Sequence, residues 1–590
     1  MHDRAIGRDQ PQPDDPSRRA FLGGLAGVVG LGVATSGGWT PAGRIVAGSA
    51  AATMPGPPGL PAGVHAYEQA YRNWSGEIRS EGMWTCAPRS ATDVVALANW
   101  ASAHGWKLRP RGAMHGWTPL TIRNGARLGR VLLVDTTQHL RAISVAVGGS
   151  STVSCGAGAT LGEILQALED HGLGWTCVPA PGVLTIAGAL AVGAHGAALP
   201  AHGEVGQRGS TYGSLSNLVT ALTAVVWDDA TNRFVLRTFE RRDPQITAIL
   251  TSLGRTFLTS VTLQASANLR LRCQSTTGVP IHELFAPPGA HGRTFAAYVA
   301  AAGRVEAIWF PFTDHPWLKV WTPTPSRPRS AKLVTTPYNY SFSDTLPLSA
   351  ADALERMTLA DPGGTPAWGQ FQLSTVRKGL DAKGRADLWG WSKNTLLYIR
   401  PTTLRMSEGG GAVITSRANI QRVVHEFTTW YGARLDHHRA VGHFPVNGPV
   451  EIRCCGLDQP DDVLVESAGP PTISALRPRP DHAEWDTAVW LNVLAIPGTP
   501  GMWDFYREME QWMVRNYSGS YASFRPEWSK GWAFTTSGPY TDPERIGRTI
   551  PDTYRVGYPA GDDWDSARAQ LDELDPRRVF TNPFIDQLLA

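Results

Sequence analysis

Cysteine is scarce in this chain: six residues among 590, none spaced C-x-x-C. That excludes a disulfide-built scaffold and a thioredoxin-like or zinc-ribbon motif. Charge is sparse too, at 18% of residues, and neither sign dominates, with 54 Lys and Arg against 51 Asp and Glu. Without a basic stripe to neutralise phosphates, nucleic acid is not an expected partner. No G-x-S-x-G elbow, Walker A loop, H-E-x-x-H helix or G-x-G-x-x-G turn occurs, so the common hydrolase, phosphate-loop, zinc-protease and Rossmann signatures are missing. Asp436-His437-His438 with His443 fits no standard ligand spacing, and no metal is expected there. What remains is 42% hydrophobic residues with 62 Gly and 44 Pro, enough to build a deep core with many loops. The length allows about four domains or two large ones.

The first fifty residues read as an address. Ser17-Arg18-Arg19-Ala20-Phe21-Leu22 is a twin-arginine export pattern, followed by an apolar stretch, Ala20–Ala34, broken by Gly23, Gly24, Gly27, Gly30 and Gly32. A membrane span takes about 20 strongly apolar residues, so a removable signal over 1–52 is expected rather than an anchor, with small residues at 47–52 as the cleavage region. The expected location is secreted or periplasmic.

From Met54 to Gln264 short strands alternate with amphipathic helices. Thr92–Ala103 carries Val94, Val95, Leu97, Ala98 and Ala101 on one helical face, with Gly105 as a stop. The strand Trp106–Pro110 runs into Arg111-Gly112-Ala113-Met114-His115-Gly116-Trp117. Thr160 and Glu163 form a capping box ahead of Leu161, Ile164, Leu165 and Leu168. Asp243-Pro244 opens a helix striped by Ile246, Ile249, Leu250 and Leu253 and ended by Gly254; Thr256–Leu263 alternates like a closing strand. Beyond 265 the segments lengthen and aromatics multiply. Val305–Phe310, Thr395–Arg400 and Val450–Cys454 read as strands, Glu408-Gly409-Gly410-Gly411 as a loop tip, and Pro323–Arg329 as a connection. The last 75 residues read as short loops and strands.

Two runs carry the chemistry. A strand ending in Arg109-Pro110-Arg111-Gly112-Ala113-Met114-His115-Gly116-Trp117 presents backbone N–H groups and Arg charge to a pyrophosphate. A second run, from Pro181 and Gly182 through Thr185, Gly188, Ala189, Gly193, His195 and Gly196, is small enough for a long flat cofactor to lie against backbone. With Gly156-Ala157-Gly158-Ala159-Thr160-Leu161-Gly162-Glu163 between them, these segments resemble the vanillyl-alcohol-oxidase flavoprotein family. Within it, Arg111–Leu120 looks most like the bacterial cholesterol oxidases with covalent FAD.

The resemblance implies an α+β chain: a two-subdomain FAD-binding domain over 54–267, a substrate domain built on a large, mostly antiparallel sheet over 268–515, and a segment over 516–590 returning to the flavin. It implies FAD bound covalently through His115, with the two runs and Val261 as cofactor contacts. No Cys stands within Pro181–Gly196, so a second covalent link is not implied; whether Cys155 and Cys177 pair stays open.

In the substrate half, Glu451-Ile452-Arg453 places an acid and a base on one face of a strand, because residues i and i+2 project together. Glu306 and Asn492 are polar within apolar strands, and a buried polar group needs a partner or a cavity. Arg525-Pro526-Glu527-Trp528-Ser529-Lys530 resembles the R-P-H-W-G-K stretch of aldonolactone oxidases in the same family, with Glu527 for His and Ser529 for Gly. The implied reaction is oxidation of a sterol 3β-hydroxyl with O2, giving peroxide, and a Δ5-to-Δ4 shift. Glu451 is then the base, Arg453 its partner, Asn492 a positioning group, Glu306 or Glu527 the isomerising carboxylate, and Lys530 the countercharge to reduced flavin. An aldonolactone or alditol oxidase and a flavin-free carrier of an apolar ligand are the alternatives. Sterols sit in bilayers, which leaves transient contact with sterol-bearing membranes or lipid particles open.

Overall fold

The computed structural model describes residues 56–126, 129–340, 359–382, 384–401 and 403–590. The expected export signal lies outside them. Among the described residues no helix is long and apolar enough to cross a membrane.

The amino-terminal half holds two sheets. β1 (Ala66–Arg72), β2 (Arg79–Cys86), β3 (Lys107–Arg111) and β4 (Val131–Asp135) lie in the order β1-β2-β4-β3, antiparallel between β1 and β2 and parallel elsewhere. The helix feeding β3 runs over Ala91–His104, one residue longer at each end than its periodicity suggests. Ser90 accepts the Asp93 N–H at 3.2 Å while the Asp93 carboxylate accepts from Ser90 N at 3.1 Å, and Gly105 ends the helix at φ 67°.

Next come β5 (Ile143–Ala146), β6 (Thr152–Gly156), β7 (Leu173–Gly174), β8 (Val219–Asp228), β9 (Arg233–Glu240) and β10 (Phe257–Gln264). β5, β6, β10, β8 and β9 form an antiparallel sheet, and β7 pairs with β11 (Ser266–Ala267). The helix Leu161–Asp170 starts on the Thr160/Glu163 box, whose two halves are both made. The helix expected after Asp243 is only Ile246–Ile249. Its stripe is buried as expected, but Leu253 (φ 53°) and Gly254 (φ 73°) turn the chain left-handed to enter β10.

The carboxyl-terminal half is built on nine strands: β12 (Arg270–Thr276), β13 (Arg304–Trp309), β14 (Trp317–Pro323), β15 (Lys332–Val334), β16 (Asp387–Trp391), β17 (Ser407–Thr415), β18 (Val450–Gly456), β19 (Thr487–Ala495) and β20 (Ala522–Pro526). Their order is β15-β16-β12-β14-β13-β18-β19-β17-β20, antiparallel throughout except β15 with β16. Helices Ile420–Ala440 and Met502–Asn516 pack Val424, Phe427, Phe505 and Met509 against one face of this sheet, with Val450 and Ile452 from β18 in the same core. The alternate residues of β18, Glu451 and Arg453, face the other way. The two halves share a core, since Trp317, Trp321 and Tyr398 join Leu161 and Ile164 in one buried cluster.

Three expectations fail here. Residues 395–400 are not a strand: the helix Ser392–Leu396 ends and an irregular run follows, with a single bridge from Ile399 to Pro181. The last 75 residues hold one strand, β20, which belongs to the large sheet, and then helices at Trp564–Leu574 and Pro583–Leu588. Glu408-Gly409-Gly410-Gly411 is no loop tip but the buried start of β17. Its glycines answer to crowding. A Cβ on Gly409 would stand 3.1 Å from the Phe534 and Tyr506 rings, one on Gly411 2.8 Å from the Phe524 ring, and one on Gly410 (φ 147°) 2.0 Å from the Leu491 carbonyl.

Gly410→Ala is therefore expected to cost at least about 1–3 kcal/mol, the range for overpacking and backbone strain. Chemical denaturation checks it: an unchanged midpoint would mean the sheet yields at this point.

Candidate active site

One cavity runs between the amino-terminal half and the large sheet. On the amino-terminal side β3 delivers the turn Gly112–Trp117, where Met114 takes φ 56° and His115 follows it into the cavity. The second small-residue run packs directly on this turn, since a Cβ on Gly112 would stand 2.3 Å from Thr185 Oγ1; the run is also tight against the chain before it, where a Cβ on Gly196 would stand 2.5 Å from the Val178 nitrogen. Small residues here are a condition of backbone approach. The turn is bolted down beyond as well. Trp117 N donates to Ser529 O at 2.8 Å and its indole N–H to Met406 O at 2.8 Å.

His115 stacks on Trp74 at 3.9 Å between centroids and meets Trp117 edge-on at 6.1 Å. Burial, with the charges of Lys530 and Arg405 nearby, lowers its pKa to about 3, so the imidazole is neutral across the working range.

Of the expected cofactor contacts, Arg109, Pro110, Gly112–Trp117, Pro181, Thr185, Gly188, Ala189, His195 and Gly196 line the cavity. Arg109, however, donates to the Gly254 carbonyl at 2.8 Å, the Leu120 carbonyl at 2.5 Å and the Phe580 carbonyl, so its guanidinium is a brace rather than a phosphate clamp. Arg111, Gly182, Gly193 and Val261 do not line the cavity. Arg111 pairs with Asp135 at 2.8 Å, and Val261 sits inside β10 between β6 and β8. Two cavity residues that sequence reasoning missed, Ser252 and Thr256, carry buried hydroxyls without a protein partner. With the glycine-walled channel these orphaned hydroxyls suit a long polar cofactor such as FAD. Cys155 and Cys177 are separate free thiols.

At the other end of the cavity four carboxylates converge. Glu306 from β13, Glu408 from β17, Glu451 from β18 and Glu527 just beyond β20 all line it, with Arg453 and Lys530. Arg453 Nη1 lies 2.9 Å from Glu451 and 3.7 Å from Glu306, and its Nη2 donates to Asn492 Oδ1 at 3.3 Å. Burial works against the guanidinium's charge, but Glu451, Glu306, Glu527 and Glu408 together hold it firmly protonated. Lys530 pairs with Glu408 and stands 4.0 Å over the Trp117 ring. Tyr398 donates to Glu306 at 2.6 Å.

Two expected roles change. Asn492 does not line the cavity: its amide donates to Glu527 at 3.0 Å while its oxygen takes Arg453, so it spaces those two charges instead of touching a ligand. Glu527 accepts from Asn492 and Ser529 and faces His195 Nε2 at 3.7 Å, with His195 stacked on Trp490. Burial alone would raise its pKa, but Lys530, His195 and Arg453 hold it well below the usual carboxylate range, which makes it a fixed anion and a poor proton carrier.

Glu408 is the main omission. Burial pushes it up to about 7, with Glu451 and Glu527 adding to the effect and Lys530 opposing it, and its Oε1 is buried without a partner. A carboxyl that titrates near neutrality beside a cavity is suited to proton exchange. In the sequence it hid at the head of a glycine run.

The comparisons agree with this geometry. Residues 84–233 match the family described as an FAD binding domain, and residues 270–590 the family described as cholesterol oxidase, substrate-binding. A crystal structure of cholesterol oxidase from B. sterolicum is 55% identical with a TM-score of 0.89, covering 91% of this chain and 99% of that one. A histidine-to-alanine mutant of the Brevibacterium sterolicum enzyme gives 55% and 0.88 over 91% and 100% of the two chains. A solvent-stable cholesterol oxidase gives 50% and 0.89 over 90% and 100%. No curated protein sequence matches. The substrate-domain match takes away the ground for a sugar-lactone or polyol oxidase, and the flavin-domain match the ground for a flavin-free carrier. A substrate-binding family match over residues 270–590, more than half of the chain, together with solved relatives at 50–55% identity over nine-tenths of it, places this chain in the cholesterol oxidase family of FAD-dependent oxidoreductases.

Proposed function

We propose that this protein oxidises the 3β-hydroxyl of cholesterol or a related sterol with dioxygen, releases hydrogen peroxide, and shifts the Δ5 double bond to Δ4. The observation that carries the reading is the juxtaposition of two cation-paired carboxylates, Glu451 and the more deeply buried Glu306, on neighbouring strands facing one cavity. The turn Gly112–Trp117 and the run through Thr185, Gly188 and Gly196 would hold the flavin, which would supply hydride acceptance from the carbinol carbon and electron transfer to oxygen. The chain's own groups handle the protons. Glu451, held by Arg453 at 2.9 Å, takes the hydroxyl proton. Glu408, titrating near neutrality, exchanges that proton onward. Lys530, braced by Glu408 and Trp117, offers positive charge to the reduced ring. Glu306 carries a proton between ring carbons in the second reaction.

The flavin is attached through His115. A neutral imidazole facing the cavity, with its plane fixed against Trp74, is the nucleophilic form such a bond requires. Export by the twin-arginine route, supported by Ser17-Arg18-Arg19, carries the enzyme out folded. Its substrate brings it into transient contact with sterol-bearing membranes or lipid particles.

Glu451→Gln is expected to lower kcat for peroxide release by about 100-fold or more, the usual contribution of a positioned base, while the protein stays yellow; full turnover would remove Glu451 as the base. The pH profile of kcat/KM should show a limb near pH 7 that disappears in Glu408→Gln, and a limb that persists would assign it to another group. His115→Ala should yield protein whose flavin separates from the chain on acid denaturation, whereas flavin that stays attached would show the link lies elsewhere.

A further inference from the structure

Behind Glu306, on the neighbouring strand, stands a buried lysine that the oxidation chemistry does not use. Lys319 of β14 is registered opposite Glu306 of β13, is 1% exposed, and is not among the cavity-lining residues. Its Nζ lies 3.5 Å from Glu306 Oε2, the one carboxylate within 4.0 Å of it among the described residues. Three rings enclose the ammonium: Tyr398 at 3.5 Å, Trp317 at 4.1 Å and Tyr340 at 4.9 Å. Tyr398, which does line the cavity, donates its hydroxyl to the same Oε2 at 2.6 Å.

A buried lysine is costly unless it meets a partner, and an aromatic cage holds a cation where water cannot. This cage keeps a positive charge on the side of Glu306 away from the cavity. Oε2 is then occupied by Lys319 and Tyr398. Oε1, 3.7 Å from Arg453, is the oxygen left to exchange a proton.

We propose that Lys319 is a positioning residue for the double-bond shift: as the caged counter-ion of Glu306 it keeps that carboxylate charged and aimed, with Tyr398 as its hydrogen-bond donor. The proposal rests on the isomerase reading given above. In the step itself the C–H bond at C4 breaks and its proton passes to Glu306. The Glu306 O–H bond then breaks as a C–H bond forms at C6, the double bond moving from C5–C6 to C4–C5. Nothing is oxidised or reduced. The titratable and charged groups around Glu306 are Lys319 on β14, Arg453 and Glu451 on β18, and Tyr398 on the run after helix Ser392–Leu396; Cys273 on β12, whose thiol burial pushes up to about 11, is neutral there.

The test uses the flavin-loaded enzyme with cholesterol, following peroxide and the absorbance of the conjugated enone separately. In Lys319→Met, enone formation relative to peroxide should fall about tenfold or more at neutral pH, because Glu306 loses the cation on its Oε2 side and keeps only Arg453 at 3.7 Å, and should recover as pH rises. Lys319→Arg should restore it. An enone-to-peroxide ratio in Lys319→Met equal to the unaltered enzyme's at every pH overturns the role, as does an equal loss in Lys319→Arg. Thermal unfolding of Lys319→Met, Glu306→Gln and the double variant reads the ion pair independently of turnover. The second substitution should reverse part of the first one's loss, and strictly additive losses overturn the pairing. An unaltered enzyme that releases only the unconjugated ketone overturns the isomerase reading and the role of Lys319 together. Normal conjugation with an indifferent Lys319→Met overturns the role alone.

Discussion

The Arg453 guanidinium within reach of four glutamates is the interaction on which the substrate half depends. Carboxylates on β13, β17 and β18 and beyond β20 would repel one another if brought together alone, and taking each out of water is costly. Arg453 pairs with Glu451 and reaches Glu306, and its field acts on Glu408 and Glu527. Lys530 takes Glu408 from the far side, and Asn492 spaces Arg453 from Glu527. Removing one partner of such a buried pair costs on the order of 3–5 kcal/mol, because the other charge is left uncompensated. The strand order of the large sheet can be understood as the arrangement that lets these charges meet.

That balance also sorts the carboxylates by proton affinity. Glu527, ringed by Lys530, His195 and Arg453, is held ionised against its burial, whereas burial, with Glu451 and Glu527 adding to it and Lys530 opposing, pushes Glu408 up to about 7. Two glutamates facing one cavity thus have opposite duties, and the difference lies in how far nearby cations offset the effect of burial.

The flavin half was largely legible in the sequence, because its signals are local. The Ser90 and Thr160 helix starts, the turn before His115 and the closing strand β10 each depend on residues close in the chain. The Glu451/Arg453 pair was legible as well, since alternation along a strand is a two-residue property. Other features depended on distant contacts. Glu408 sits at the head of three glycines that look like a loop until Tyr506, Phe524 and Phe534 are packed over them. Arg109 and Arg111 look like phosphate ligands until the carbonyls of Phe580 and Leu120, and the carboxylate of Asp135, claim them. Residues 395–400 have strand-like composition, but Tyr398 is used to reach Glu306.

The bracing of the cofactor turn bears on the order in which the molecule assembles. Arg109 donates to a carbonyl 471 residues downstream, Trp117 N to Ser529, and the Asn582 amide to the carbonyls of Pro119 and Leu120. The loop that presents His115 therefore takes its final shape only after the carboxyl-terminal helices have docked on it. Contacts so far apart in the chain are slow to form, because the entropy of closing the intervening loop has to be met first. Cofactor capture is accordingly a property of the finished chain, and a nascent first domain holds only half of the mould.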